Sequence, residues 1–279
     1  MLNTIQIGKR VFPLQNKAYI MGILNVTPDS FSDGGKFNAV DQALFHVEEM
    51  LEQGCDIVDI GGESTRPGYT VVPIQEEIER VAPVIEAIKH RFDVPISLDT
   101  YKYQVAEAGI GAGADLINDI WGLKYDNGEM AKVIAKAGVA CCLMHNRKEV
   151  VYQDFIPDVL RDLQGCVDIA LGAGITQNKI ILDPGVGFAK SYEQNLEVLR
   201  HLQDFNALGY PMLLGTSRKS VIGLTLNLPA SEREEGTLVT TVQAVQAGWN
   251  FVRVHNVQGN ARAVKMAEAI LHGLKRGKE

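Results

Sequence analysis

Eight short apolar runs, each followed by a polar residue, recur along the whole chain. They are rich in Ile, Val and Leu and show no polar alternation, which is the pattern of strands buried on both faces of a parallel sheet. Segments of helical period separate them, such as the one containing Ile78, Val81 and Ile85. The runs occupy residues 19–25, 56–65, 94–100, 114–120, 139–146, 179–185, 210–220 and 251–256. Eight alternating strand and helix pairs predict an α/β fold, the (β/α)8 TIM barrel.

The length of the chain suits one such barrel. It has 279 residues, 46% of them hydrophobic, and no low-complexity linker, whereas barrels of this type run to about 250 residues. We therefore expect residues 1–279 to form a single domain. The leading segment, residues 4–12, alternates around Gly8. This pattern predicts a short N-terminal hairpin that closes the bottom of the barrel.

Charge, the length of the apolar runs and cysteine spacing argue against several classes of protein. The net charge is −7 and the basic residues are scattered, which argues against a nucleic-acid surface. No run approaches the ~20 apolar residues of a membrane span, and residues 1–15 lack the apolar core of a signal peptide. The four cysteines, at 55, 141, 142 and 166, lack C-x-x-C spacing and predict buried reduced thiols. We expect a cytoplasmic protein without nucleic-acid or membrane partners.

The C-terminal ends of the strands carry the chemistry of a TIM barrel, and this is where the polar residues of the runs lie. They are Asn25, Asp59, Asp99, Asn118, His145, Asp183, Ser217 and His255. Either Asp99 or Thr100 is expected to cap the helix that follows, and a cap needs only one of them. Asp183 precedes a Pro-Gly pair, so it is either a turn former or an acceptor for two parallel N–H donors.

Cationic and proton-bearing residues converge after the last two runs. The string GTSRKS contributes Arg218 and Lys219, and the final run places Arg253 and His255 on one strand face. They either pair with neighbouring carboxylates or bind an anion. The phosphate position of this fold lies after strands seven and eight, so a diphosphate fits there.

Several strings in this order resemble the signatures of the dihydropteroate synthases. They are ILNVTPDSFSDGG at 23–35, GESTRPG at 62–68, DPGVGF at 183–188, SRKS at 217–220 and RVH at 253–255. The resemblance implies a transferase that joins para-aminobenzoate to 6-hydroxymethyl-7,8-dihydropterin diphosphate, forming dihydropteroate and releasing diphosphate. It also suggests a homodimer.

The same resemblance implies roles for individual residues. The pterin would be bound by Asp99, Asn118, Met144, Asp183 and Lys219, and the diphosphate by Thr65, Arg253 and His255. The aminobenzoate side and its loop would include Phe31, Arg66, Pro67, Phe188 and Ser217. Asn25 would be the one protein ligand of Mg²⁺, an ion that keeps several waters and binds phosphates through few protein oxygens.

Two other functions remain open from the sequence. One is the pterin-binding barrel of corrinoid-dependent methyltransferases, which has no use for a diphosphate-binding set. The other is a non-catalytic pterin-binding paralogue. Lys219, Arg253 and His255 favour the synthase. His145 is as compatible with a structural role as with a catalytic one, and residues 146–156 receive no role.

Overall fold

This computed structural model describes residues 2–26, 36–64 and 71–273, and only the backbone of residues 36–39. Ten strands lie within these ranges. The first two are β1 (Thr4–Ile7) and β2 (Arg10–Pro13). The other eight are β3 (Tyr19–Asn25), β4 (Ile57–Gly61), β5 (Ile96–Asp99), β6 (Leu116–Asp119), β7 (Ala140–Met144), β8 (Ile180–Asp183), β9 (Leu213–Leu214) and β10 (Phe251–Val254). Each of these eight lies inside one of the predicted runs.

Helices alternate with the eight strands. They are α1 (Lys36–Glu52), α2 (Ile74–Arg91), α3 (Tyr103–Ala112), α4 (Glu129–Ala137), α5 (Phe155–Gly172), α6 (Tyr192–Arg200), α7 (Ser220–Leu226), α8 (Glu234–Gln246) and α9 (Val257–His272). In α2 the predicted apolar face is buried, with Val81 and Ile85 fully inaccessible. Among the residues described, no helix is both long enough and apolar enough to cross a membrane.

The eight strands form one parallel sheet in the order β8-β7-β6-β5-β4-β3-β10-β9. Its two edges meet through a parallel bridge between Leu182 and Met212, where the Leu182 N–H donates to the Pro211 carbonyl at 3.0 Å. The barrel is therefore nearly closed, and the predicted (β/α)8 fold is confirmed. Strand β9 is two residues long; Pro211, which has no N–H to donate to a ladder, lies just before it.

The N-terminal hairpin closes the bottom of the barrel, as predicted. Strands β1 and β2 pair antiparallel, with Ile5 opposite Phe12. Ile5, Ile7 and Phe12 are fully buried and form a core cluster with residues at the N-terminal ends of the barrel strands, including Met21 and Phe251. With one end of the barrel filled by apolar side chains, the polar strand ends lie at the opposite end.

The cysteines also match the prediction from the sequence. All four are free and buried, and burial raises the pKa of the Cys55, Cys141, Cys142 and Cys166 thiols. A raised pKa keeps a thiol protonated and unreactive at neutral pH.

The prediction that Asp99 or Thr100 caps α3 is wrong. The helix begins at Tyr103, and neither Asp99 nor Thr100 caps it; the N-cap position is Lys102, whose side chain makes no capping bond. Instead, Thr100 Oγ1 donates to the buried Glu77 Oε1 at 3.0 Å, and Asp99 accepts from Arg253. Hydrogen bonds with an ionised partner are about twice as strong as neutral ones, which favours these contacts over a cap. Toward α3, Thr100 Oγ1 accepts only the Lys102 N–H, at 3.3 Å.

Candidate active site

Arg253 connects two buried carboxylates at the C-terminal end of the barrel. Its Nε donates to Asp59 Oδ2 at 2.5 Å and its Nη2 donates to Asp99 Oδ2 at 2.7 Å. Ser97 Oγ donates to Asp59 Oδ1 at 2.5 Å. These residues come from β4, β5 and β10, which closure of the barrel brings together. The ion pairing that the sequence left open for Arg253 is therefore present.

This group contains two carboxylates, Asp59 and Asp99, but only one cation, Arg253. Burial lowers the pKa of Arg253, but Asp59 and Asp99 outweigh burial and raise it, so the guanidinium stays charged. Burial raises the pKa of Asp99 to about 7, against the opposing charge of Arg253. Asp99 Oδ1 is buried and has no hydrogen-bond partner among the described residues. The site thus presents a buried acceptor that a ligand N–H could satisfy.

Asp183, at the end of β8, faces Lys219. Its Oδ1 accepts the Gly185 N–H at 2.7 Å, so the turn-forming alternative from the sequence is realised with one carboxylate oxygen. Burial raises the pKa of Asp183, and the charge of Lys219 opposes this. Lys219 donates to the Val186 carbonyl at 2.5 Å. Burial lowers the pKa of Lys219 to about 8, against the charge of Asp183.

An apolar cluster lies beside these polar groups. Tyr101, Ile120 and Met144 are buried together, with Trp121 and Phe188 packed against them. The Lys219 ammonium lies 4.7 Å from the centre of the Phe188 ring. Apolar surface next to a few convergent polar groups is the usual composition of a small-molecule site.

Sheet register places further predicted residues in the same layer. Asn118 on β6 is opposite Asp99 on β5, and Met144 on β7 is opposite Asp183 on β8. Asn118 is buried, 5% exposed. All five residues predicted to bind the pterin therefore lie together at the C-terminal ends of neighbouring strands or in the loop after β9.

Ser217 and His255 lie against each other after β9 and β10. Ser217 Oγ lies 2.9 Å from His255 Nδ1 and accepts the His255 backbone N–H at 3.2 Å. The sequence placed Ser217 on the aminobenzoate side and His255 at the diphosphate, so the structure brings these two groups into contact.

Asn25 is the last residue of β3 and is exposed. Its Oδ1 lies 3.9 Å from the position of a Cβ built on Gly61, and the Asp99 Cβ lies 3.8 Å from the same point. Asn25 therefore borders the carboxylate group. Among the described residues no three His, Cys, Asp or Glu side chains could hold a metal ion. A single neutral oxygen fits an ion such as Mg²⁺, which takes most of its ligands from water and phosphate.

Four predicted site residues lie outside the described residues: Phe31, Thr65, Arg66 and Pro67. Their assignments stay predictions from the sequence. Two other carboxylates at strand ends, Asp59 and Asp119, received no specific role from the sequence. Asp59 was noted only as a strand-end residue, although it is the first carboxylate partner of Arg253. Asp119 serves the backbone, because it accepts the N–H groups of Trp121 at 2.9 Å and Leu123 at 2.7 Å.

His145 points into the protein. It is fully buried, with Nε2 3.0 Å from Asp162 Oδ2 and Nδ1 2.8 Å from the Lys190 ammonium. Burial lowers the pKa of His145 to about 4, so the ring is neutral at pH 7. Arg147, in the region without an assigned role, also donates to Asp162 Oδ2 at 2.6 Å. These contacts favour the structural alternative for His145.

The fold and site define a (β/α)8 barrel with buried polar side chains and a small apolar cluster at the C-terminal ends of its strands. The family described as "Pterin binding enzyme" matches residues 21–255. The chain is 58% identical to the dihydropteroate synthase of Clostridium beijerinckii, over 96% of this chain and 99% of the relative. It is 54% identical to that of Bacillus subtilis, over 92% and 90%. The chain belongs to the pterin-binding enzyme family and, within it, to the dihydropteroate synthases, the transferases of folate biosynthesis.

Solved structures agree. The dihydropteroate synthase of Clostridium difficile, determined in the presence of pteroic acid, has a TM-score of 0.88 at 49% identity, covering 95% of this chain and 98% of that one. The Xanthomonas albilineans enzyme with 4-aminobenzoic acid has a TM-score of 0.91 at 38% identity, covering 98% and 99%. The family and activity predicted from the sequence are confirmed, and the methyltransferase and non-catalytic alternatives gain no support.

Proposed function

We propose that this site joins para-aminobenzoate to 6-hydroxymethyl-7,8-dihydropterin diphosphate. The observation that carries the proposal is the buried Asp99 Oδ1, which has no partner among the described residues. Leaving such an acceptor unsatisfied costs about 1–3 kcal/mol. A donor on the bound pterin ring would satisfy Asp99 Oδ1 and remove this cost. Binding therefore gains affinity, and the ring is held in the orientation that makes this hydrogen bond.

The other pterin contacts follow from the same chemistry. A pterin has a ring N–H beside an exocyclic amine, two parallel donors that the Asp183 carboxylate can accept as a fork. Asn118 offers an amide, and the Lys219 ammonium offers donors to a pterin acceptor. Met144 and Phe188 belong to the apolar cluster on which the flat ring can pack.

The reaction forms a C–N bond and breaks a C–O bond. The aniline nitrogen of para-aminobenzoate is neutral at pH 7 and attacks without a strong general base, and its proton passes to solvent. The attacked carbon gains cationic character, which the dihydropterin ring delocalises. The buried carboxylates Asp99 and Asp183 stabilise this positive charge, and such fixed charges supply much of the acceleration in enzyme sites.

The diphosphate leaves from the other end of the site. We assign it to Thr65, Arg253 and His255; since Arg253 uses Nε and Nη2 on the two carboxylates, a diphosphate contact would have to use Nη1. Mg²⁺, held by Asn25, would neutralise charge on the diphosphate and make it a better leaving group. The aminobenzoate is assigned to Phe31, Arg66, Pro67, Phe188 and Ser217.

The pterin affinity should depend on pH as a bell-shaped curve. The raised pKa of Asp99, about 7, means that below this pH the carboxyl group must lose a proton to accept a ligand N–H, so affinity falls at most tenfold per pH unit. The lowered pKa of Lys219, about 8, means that above this pH the cation is lost. Affinity should fall again on that side.

Calorimetric titration of unphosphorylated 6-hydroxymethylpterin between about pH 6 and 9 measures this curve. Asp99→Asn should bind more weakly overall and lose the acidic limb while keeping the basic one. A flat wild-type curve, or an acidic limb that survives in Asp99→Asn, would contradict the proposed contacts.

We also propose that the chain acts as one domain, in the cytoplasm, as a homodimer. Four reduced thiols support the compartment. Leu226 and Val239 are 44% and 60% exposed and line an apolar cavity of about 320 Å³ between α6, α7 and α8. Exposed apolar patches of this kind mark protein interfaces. The mass of the protein in solution is the measurement that tests the pairing.

A further inference from the structure

The loop after β8 has an unusual backbone. Gly185, Gly187 and Ala189 all have positive φ, at 69°, 88° and 47°. A Cβ on Gly185 would lie 2.1 Å from the His145 carbonyl oxygen, so the loop and the end of β7 are in close contact. Ala189 adopts a conformation that non-glycine residues rarely take. Contacts from elsewhere must hold this shape.

Lys190 supplies three of those contacts. Its partly buried ammonium donates to the carbonyl oxygens of Gly185 and Phe188, each at 3.1 Å, and lies 2.8 Å from His145 Nδ1. An ammonium has three N–H donors and no acceptor. Each hydrogen therefore has a protein acceptor, and the side chain ties both ends of the turn 185–188 to the end of β7.

The partners of His145 determine its hydrogen positions. Asp162 Oδ2, 3.0 Å from Nε2, only accepts when ionised. Burial raises the pKa of Asp162, but the hydrogen bonds from His145 and Arg147 outweigh this and lower it, so it is ionised. Nε2 must then carry the hydrogen, which leaves Nδ1 to accept from Lys190. The chain of contacts runs from α5 through the end of β7 to the loop after β8.

That loop carries the parts of the site that face Lys219. The Val186 carbonyl accepts from Lys219 at 2.5 Å, and the Phe188 ring lies 4.7 Å from the same ammonium. Shifting the loop would move both. We propose that Lys190, held by His145 and Asp162, is a positioning residue that fixes the Phe188 ring and the Lys219 ammonium for the pterin. The inference rests on the pterin role proposed for this site.

Burial makes the charged form of Lys190 less favourable than it is in water. Burial lowers its pKa to about 7, with Lys219 and Lys124 acting in the same direction and Asp183 and Asp162 opposing. A neutral amine has two hydrogens and cannot satisfy three acceptors. An apolar side chain would avoid the desolvation penalty of the cation, and this gain offsets part of the cost of leaving three acceptors unpaired.

The test is Lys190→Met in the full-length protein. Affinity for 6-hydroxymethylpterin should fall about 10- to 100-fold, while pyrophosphate affinity stays near the wild-type value and the melting temperature shifts by about a few degrees. The matched control is Lys179→Met. Lys179 lies just before β8, at the opposite end of the strand, and donates to the Gly138 carbonyl at 2.8 Å; this variant should bind both ligands as the wild type does.

Two further variants separate positioning from general damage. His145→Gln keeps an oxygen acceptor for Lys190 and an N–H donor for Asp162, so it should retain most of the pterin affinity, whereas His145→Leu should resemble Lys190→Met. In a Phe188→Leu background, Lys190→Met should cause a much smaller additional loss, because both changes act on one loop.

Wild-type affinity in Lys190→Met, or losses that multiply fully in the double variant, would overturn the inference. Failure of the pterin assignment is a distinct outcome. If Asp183→Asn and Phe188→Leu weaken pterin binding while Lys190→Met does not, only the positioning role is wrong; if Asp183→Asn binds pterin normally, the pterin assignment itself is wrong.

Discussion

Replacing Asp183 by Asn should weaken pterin binding by roughly 5- to 150-fold while the fold stays intact, from a penalty of about 1–3 kcal/mol. An Asn can keep the bond to the Gly185 N–H with its oxygen, the contact made at 2.7 Å in the native turn. Its NH₂ group then replaces the second acceptor and faces a ligand donor. Calorimetry with 6-hydroxymethylpterin and the melting temperature together measure both parts of this prediction.

The matched control for that change is Asp204→Asn. Asp204 is exposed in the 3₁₀ helix Leu202–Leu208, where its Oδ2 is 2.8 Å from His201 Nδ1, so the same chemical change there should leave pterin binding unaltered. Normal pterin affinity in Asp183→Asn, with a normal melting temperature, would remove Asp183 from the pterin site.

Replacing Arg253 by Met should destabilise the protein by about 3–5 kcal/mol, the usual effect of removing one partner from a buried ion pair. Asp59 is fully buried and Asp99 is 7% exposed, and both would lose their cation. Pyrophosphate and pterin affinities should fall together, since Arg253 contacts the Asp99 carboxylate as well as the proposed diphosphate side. Urea unfolding and the two titrations measure these effects.

A second substitution tests whether the lost stability comes from buried carboxylates left without a cation. Asp99→Asn removes one of the two carboxylates, so adding it to Arg253→Met should restore part of the lost stability. Arg91→Met is the surface control, because Arg91 and Glu48 form an ion pair with both side chains about half exposed, and such pairs contribute about 0–1 kcal/mol. An Arg253→Met protein as stable as the wild type would contradict the buried ion-pair account.

The barrel was predictable from the sequence because parallel strands buried on both faces need unbroken apolar runs. Each polar residue that follows a run must then lie at the C-terminal end of the barrel, which is how Asp99, Asn118 and Asp183 could be placed without coordinates. The shortest element, β9, has two residues, although the predicted run at 210–220 has the same apolar pattern as the others.

Contacts between distant strands were not predictable in the same way. The pairing of Arg253 with Asp59 joins residues 194 positions apart and depends on how the sheet closes. The cap expected for α3 failed because local propensity competes with buried charged partners that only the fold supplies. The contacts of Lys190 could not be predicted from the sequence either, since a lysine in a loop is usually solvated.

The most direct test of the whole account measures diphosphate release and dihydropteroate formation by the wild-type protein, with and without para-aminobenzoate. The account predicts that diphosphate is released only when both substrates are present, one for each dihydropteroate formed, and that Asp183→Asn greatly slows both at limiting pterin substrate. Diphosphate release that proceeds without para-aminobenzoate, or the absence of any release with both substrates, would contradict it.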